Sequence, residues 1–100
     1  FQPFYDAYVP LVRLAGGIPK FVRLEPPHWR LPEEGLRKAF SHKTKAVLFN
    51  NPLNPAAVVY PREDLEMLAR YCQEFDAIAI SDEVLRVTSS FRRAPPARAR

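Results

Sequence analysis

The stretch FNNPLNPAAVVYP, residues 49–61, places Asn50, Asn51 and Asn54 at the end of an apolar run, TKAVLFN (44–50). Further on, DAIAISDEV (76–84) is a second apolar run that ends on Asp82 and Glu83. Asn54 and Asp82 are 28 residues apart, enough for one crossover helix and one strand. In parallel α/β sheets, ligands bind outside the carboxyl ends of the strands. If both runs are neighbouring parallel strands, an amide and a carboxylate end on one edge and face one crevice. Asn and Asp also form turns and helix caps, which is their commoner use. Spacing alone leaves both readings open.

The elements that would position these groups are legible in the pattern. YDAYVPLVRLAGG (5–17) has apolar groups at Tyr5, Tyr8, Val9, Val12 and Ala15 and ends on Gly16-Gly17, which predicts a helix with a glycine C-cap, although Pro10 falls inside it. KFVRLE (20–25) reads as a short strand, and PPHWRLPEEG as a proline-rich connection. A helix is predicted over 32–40: Pro32 opens it, Glu33 and Glu34 sit at its positive end, and Leu36, Ala39 and Phe40 form its apolar side. TKAVLFN reads as a strand buried on both faces. Residues 61–75 carry Leu65, Leu68, Ala69, Cys72 and Phe75 at helical spacing with charges between them. The order strand–helix–strand–helix–strand, with short links, predicts an α/β unit with a mostly parallel sheet.

Composition excludes several classes. Apolar residues make up 47% of the 100, the normal share for a globular chain. The formal charge is +4, but residues 85–100 hold five arginines and no acid, which leaves 10 basic against 11 acidic groups in residues 1–84. The body is nearly neutral, so the basic pI is no argument for nucleic-acid binding. No run approaches the roughly 18 apolar residues of a membrane span. The one cysteine, Cys72, lies on the apolar side of its helix and reads as a small buried hydrophobe, consistent with a reducing cytoplasmic setting. The chain opens on Phe with no basic-then-apolar leader, and the expectation is that the natural N-terminus lies upstream. Residues 85–100 lack a core period and are expected to be disordered.

PFYDAYVPLVRLAGGIPKFVRL (3–24), KTKAVLFNNPLNPAAVVYPREDLEMLARYCQEFDAIAISDEV (43–84) and the spacing between them resemble the class I/II aminotransferases, fold type I enzymes dependent on pyridoxal phosphate. The branch with kynurenine aminotransferase-like and cysteine-conjugate β-lyase-like enzymes looks nearest. The resemblance covers residues 1–84 and implies the central part of a large, cofactor-binding domain. By that resemblance Asp82 pairs with the pyridine nitrogen and keeps it protonated, so that the ring can accept electrons when the substrate's Cα proton leaves. Asn54 would donate to the cofactor's phenolic oxygen. Tyr5 would stack on one ring face, Val84 would cover the other, and Asn50 would lie near the same pocket. Without the resemblance, Tyr5 and Val84 read as ordinary packing. The resemblance further implies amino acid and 2-oxo acid substrates and a homodimeric parent.

Several family features are missing. The lysine that bonds the cofactor's aldehyde carbon sits in a Ser-x-Ser-Lys motif, and none of Lys20, Lys38, Lys43 and Lys45 matches it. The phosphate-holding glycine loop and the distal substrate arginine are also absent, so the chain by itself is expected to be inactive. Ala57 stands where the family often has Gly, and Leu85 where it has a hydrogen-bonding Tyr. Leu85-Arg86-Val87 can be encoded so that a one-base shift reads Tyr-Glu, and Arg92 to Pro96 so that it reads Asp-Gly-Arg-His-Arg, as the family pattern continues. The expectation is a frameshift after Val84. Two rival functions stand beside amino-group transfer: a C–S β-lyase fragment, and a non-enzymatic fragment whose basic tail binds nucleic acid or acidic surfaces. His28, Trp29 and His42 read as loop and surface groups, and no cluster has metal-ligand spacing.

Overall fold

Residues 1–53 and 58–83 are described in the computed structural model, and they form three helices and two strands: α1 (Tyr8–Leu14), α2 (Glu33–Ala39), β1 (Ala46–Asn50), α3 (Arg62–Glu74) and β2 (Ile78–Asp82). Asn54, Ala57, Val84, Leu85 and the tail lie outside the described residues. β1 and β2 pair in parallel, with α3 in the connection between them, so the unit is the expected β–α–β. The register runs from Ala46↔Ile78 to Asn50↔Asp82, which brings the two strand ends level.

Local chemistry explains where the helices begin and stop. Pro32 and Pro61 occupy the N-cap positions of α2 and α3 in extended conformation, and both helices carry two acidic residues in the first turn, against the positive end of the helix. α1 ends as the glycine pair predicts. Gly16 takes φ 81°, which a residue with a Cβ adopts only at a cost, and the Gly17 N–H donates to the Val12 carbonyl at 2.9 Å. α3 ends on the same six-residue hydrogen-bonded turn without a glycine: Asp76 takes φ 51° and the Ala77 N–H reaches the Cys72 carbonyl at 2.8 Å. That turn delivers the chain into β2.

The core is a contiguous cluster of Val22, Leu24, Leu31, Leu36, Phe40, Leu53, Tyr60, Leu68 and Cys72. It lies between α2, α3 and the extended segment 22–31. Val47 and Phe49 of β1 pack against it, while Leu48 between them does not belong to it, as strand alternation requires. Two expectations need correction here. β1 is not buried on both faces, and β2 is exposed from Ile78 to Ser81, because the core covers one side of the sheet only. An apolar run shows that a strand prefers cover, not which face receives it. Residues 20–25 do not join a ladder: this segment makes a single parallel bridge, Gln2↔Arg23, with Gln2 N–H on the Val22 carbonyl and Leu24 N–H on the Gln2 carbonyl.

A buried ion pair ties the proline-rich connection to α3. Asp64, in the first turn of α3, is 3% exposed. Its Oδ1 and Oδ2 each accept from Arg30 Nε at 2.9 Å, and Oδ2 also accepts from the Leu31 N–H at 2.9 Å. Burial opposes charge on this carboxylate. The Arg30 hydrogen bonds, the Leu31 N–H and the Arg30 charge outweigh it and hold Asp64 below the usual carboxylate range. Nearby, the Tyr60 hydroxyl is buried without a hydrogen-bond partner, and burial, then the charge of Asp64, pushes its phenol well above the ordinary value.

Two outcomes follow. Asp64 binds its proton less tightly folded than unfolded, so its contribution is complete above the unfolded value of about 3.9 and is lost as pH falls through the lower folded value. Asp64→Asn should cost about 2 kcal/mol at neutral pH, the scale of hydrogen bonds to a charged group, and flatten the acid limb of stability below about pH 4; urea melts at stepped pH read both. Tyr60→Phe removes a polar atom that bonds nothing and should leave stability unchanged or raise it by up to about 1 kcal/mol; a loss larger than that in the same melts contradicts the buried, unpartnered hydroxyl.

Candidate functional site

The site forms where β1 and β2 end together. Both strands bring their last residues to one level, and two donors from the β1 end converge on the backbone carbonyl of Asp82: the Asn51 N–H at 3.0 Å and the Asn50 side-chain Nδ2 at 2.9 Å. Asn50 is 4% exposed, so this amide holds the strand ends from inside. Asn51 turns its Oδ1 the other way, accepting from the Tyr60 N–H at 3.1 Å and anchoring the return of the loop. The consecutive amides thus do different work. One clamps the neighbouring strand, the other braces the turn.

With its backbone held, Asp82 presents its carboxylate on the face that the core does not cover. There it meets α1. Tyr8, the first residue of α1, donates its hydroxyl to Asp82 Oδ2 at 2.5 Å. Burial, followed by the hydrogen bond to Asp82 and that residue's negative charge, with a smaller effect of Tyr5, raises the Tyr8 phenol well above the ordinary tyrosine value. At neutral pH Tyr8 is therefore a donor and Asp82 the acceptor. The turn leading into α1, in which the Tyr8 N–H donates to the Tyr5 carbonyl at 3.0 Å, sets Tyr5 beside Tyr8. The two rings meet edge to face, with centroids 5.7 Å apart and planes at 79°. Tyr5 itself is 53% exposed, which leaves aromatic surface open next to the carboxylate.

The structure thus brings Tyr5, Asn50 and Asp82 to one corner, while Asn54 and Val84 lie outside the described residues. Tyr8 is the residue that sequence reasoning missed. It reads as one more apolar position on a short helix, and its signal in the sequence is a second tyrosine three residues after Tyr5. All four lysines are exposed. Among the described residues no group of three His, Cys, Asp or Glu side chains could hold a metal ion, and no helix is long and apolar enough to cross a membrane.

Comparison with known proteins places this corner in a family. The description "Aminotransferase class I and II" matches residues 1–92, running past Val84, and enzymes of that class depend on pyridoxal phosphate. Human kynurenine–oxoglutarate transaminase 3 is 42% identical over 92 residues, covering 82% of this chain and 20% of that protein. Among solved structures, an aspartate aminotransferase variant from Thermus thermophilus superposes with a TM-score of 0.79 at 39% identity, covering 83% of this chain and 22% of that one. YbdL from Escherichia coli, described as having a methionine aminotransferase function, gives 0.80 at 38% identity, covering 84% and 22%. The chain spans about a fifth of the length of such relatives. It belongs to the class I and II aminotransferase family.

Proposed function

We propose that this chain supplies the ring-binding part of the pyridoxal phosphate site in an enzyme that moves an amino group between an amino acid and a 2-oxo acid. One observation carries the reading. A half-buried carboxylate stands at the aligned ends of two parallel strands, oriented by a phenol, with an exposed aromatic ring beside it. That donor set suits a flat, protonated nitrogen heterocycle. An anion meets the ring nitrogen and an aromatic face meets the ring.

In this reading the cofactor, when bound, supplies an electron-poor ring that draws electrons from the bond to be broken at the substrate's Cα. Asp82 holds the proton on the ring nitrogen by pairing with it, since an adjacent negative charge favours the protonated form. Tyr5 packs flat on the ring and excludes water from that face. Asn50 keeps Asp82 at its station through the backbone. Asn54, on the phenolic oxygen, and Val84, on the opposite ring face, complete the set on the strength of the family pattern. The covalent step needs a lysine at the cofactor's aldehyde carbon, and no lysine of this chain matches the family motif. The chain alone is therefore proposed to bind the ring without turning over.

Binding of pyridoxamine 5′-phosphate, which needs no lysine, tests this by its change in absorbance. Asp82→Asn keeps the shape and removes the charge. It should weaken binding about 10- to 100-fold, the worth of one charged hydrogen bond. Equal binding by the wild-type chain and Asp82→Asn would remove Asp82 from the site.

A further inference from the structure

We infer that Asn51 is a positioning residue for the cofactor site: its side chain takes over the backbone's work in one ladder, so that its backbone can hold Asp82 in another. This role rests on the proposed part of Asp82 and supplies what keeps that residue at its station. The loop that leaves β1 and returns to α3 is closed by an antiparallel bridge between Leu53 and Val58, with the Leu53 N–H on the Val58 carbonyl at 2.7 Å. In an antiparallel ladder, hydrogen-bonded pairs recur at every second residue. The next such pair outward sets Asn51 opposite Tyr60. An ordinary rung there would turn both the N–H and the C=O of residue 51 toward Tyr60.

The chain departs from that rung. The Tyr60 N–H donates to Asn51 Oδ1 at 3.1 Å, while the Asn51 N–H donates to the Asp82 carbonyl at 3.0 Å. The side-chain oxygen stands in for the backbone acceptor, as asparagine side chains can in place of a ladder bond. The exchange matters because Tyr60 is buried, and a buried N–H without an acceptor is costly. Deprived of Oδ1, the Tyr60 N–H would draw in the backbone carbonyl of residue 51, and the N–H of the same residue would turn with it, away from Asp82. Tyr60 also stands just before Pro61, the N-cap of α3, so the same bond fixes where the crossover helix starts. Asn51 therefore ties the end of β1 to the start of α3 with its side chain, and to the end of β2 with its backbone. What this asks of the side chain is an oxygen at the reach of an amide.

The test uses the full chain and two readouts. Exchange of the Asn51 and Tyr60 amide protons, followed by NMR without ligand, reports the two bonds. Affinity for pyridoxamine 5′-phosphate, followed by absorbance, reports the site. Asn51→Leu keeps the size and shape of the side chain and removes the acceptor. It should speed exchange of both amides about fivefold and weaken binding about fivefold, the worth of one neutral hydrogen bond. The Asn50 amide still reaches the same carbonyl, so binding is weakened and not abolished. A role in packing alone would leave Asn51→Leu like the wild type. Asn51→Asp returns an oxygen at the same reach and should restore both readouts. If Asn51→Leu does not fold, as judged by circular dichroism, Asn51→Asp decides: protected amides and wild-type affinity support the inference, and faster exchange with the acceptor in place overturns it. An Asn51 amide that stays protected in a folded Asn51→Leu chain shows the two bonds to be independent, and the inference fails. Should wild-type and Asp82→Asn chains bind alike, the reading of Asp82 fails, and the role of Asn51 at the cofactor with it. Should Asp82→Asn lose affinity while Asn51→Leu binds like the wild type, the site stands and Asn51 has no part in holding it.

Discussion

Two hydrogen bonds to one carbonyl oxygen determine where this site can be. The Asp82 carbonyl accepts from the Asn51 backbone and from the Asn50 side chain, and a carbonyl has two lone pairs to give. Together they lock the last rung of the parallel pair in the register Asn50↔Asp82. Register in a strand is all or nothing for its side chains. A slip by one residue would turn Asp82 toward the core and Ser81 toward the open face. The buried amide of Asn50 therefore decides on which side of the sheet the carboxylate stands, and everything that meets it depends on that choice.

The rest of the structure serves the same placement from farther away. The core of α2, α3 and the 22–31 segment covers one face of the sheet and leaves the other to the site. The Arg30–Asp64 pair fastens the start of α3, and the turn at Asp76 aims its far end into β2. α3 thus enters and leaves between two fixed points, and the strand that follows it has little freedom in where it begins. On the uncovered face, Ile78 and Ile80 are 69% and 50% exposed and share with Asp82 one side of β2. That apolar face lies on the same side of β2 as the candidate site.

Much of this could be read from the sequence, and what could not has a physical reason. β1, α3 and β2 follow from periodicity, since each pattern is long and is bounded by Pro, Asn or acidic residues. The pairing of the two strand ends follows from the length of the crossover. The site contacts do not follow. Tyr8 and Asp82 are 74 positions apart, and Arg30 and Asp64 are 34. A tyrosine at helical spacing looks apolar until its hydroxyl finds a partner, and an aspartate in the first turn of a helix looks like a solvent-exposed charge until it is found buried. Which face of a strand is covered escapes the sequence for the same kind of reason. Val47 and Phe49 reach the core and Leu48 does not, although all three belong to one uniform apolar run. Asn50, read only as a neighbour of the pocket, is the amide that holds the second strand, while Asn54 lies outside the described residues.

The central claim is the register of the strand ends, and it can be measured without any ligand. Scalar coupling across hydrogen bonds, observed by NMR between the Asn51 amide nitrogen and the Asp82 carbonyl carbon, reports that contact alone. The account predicts a resolved Asn51–Asp82 correlation, with the Asn51 amide protected from exchange like the amides inside the β1–β2 ladder. An Asn51 amide that exchanges as in an unstructured peptide, or that couples to the carbonyl of Ser81, would contradict it and take the proposed site apart at its origin.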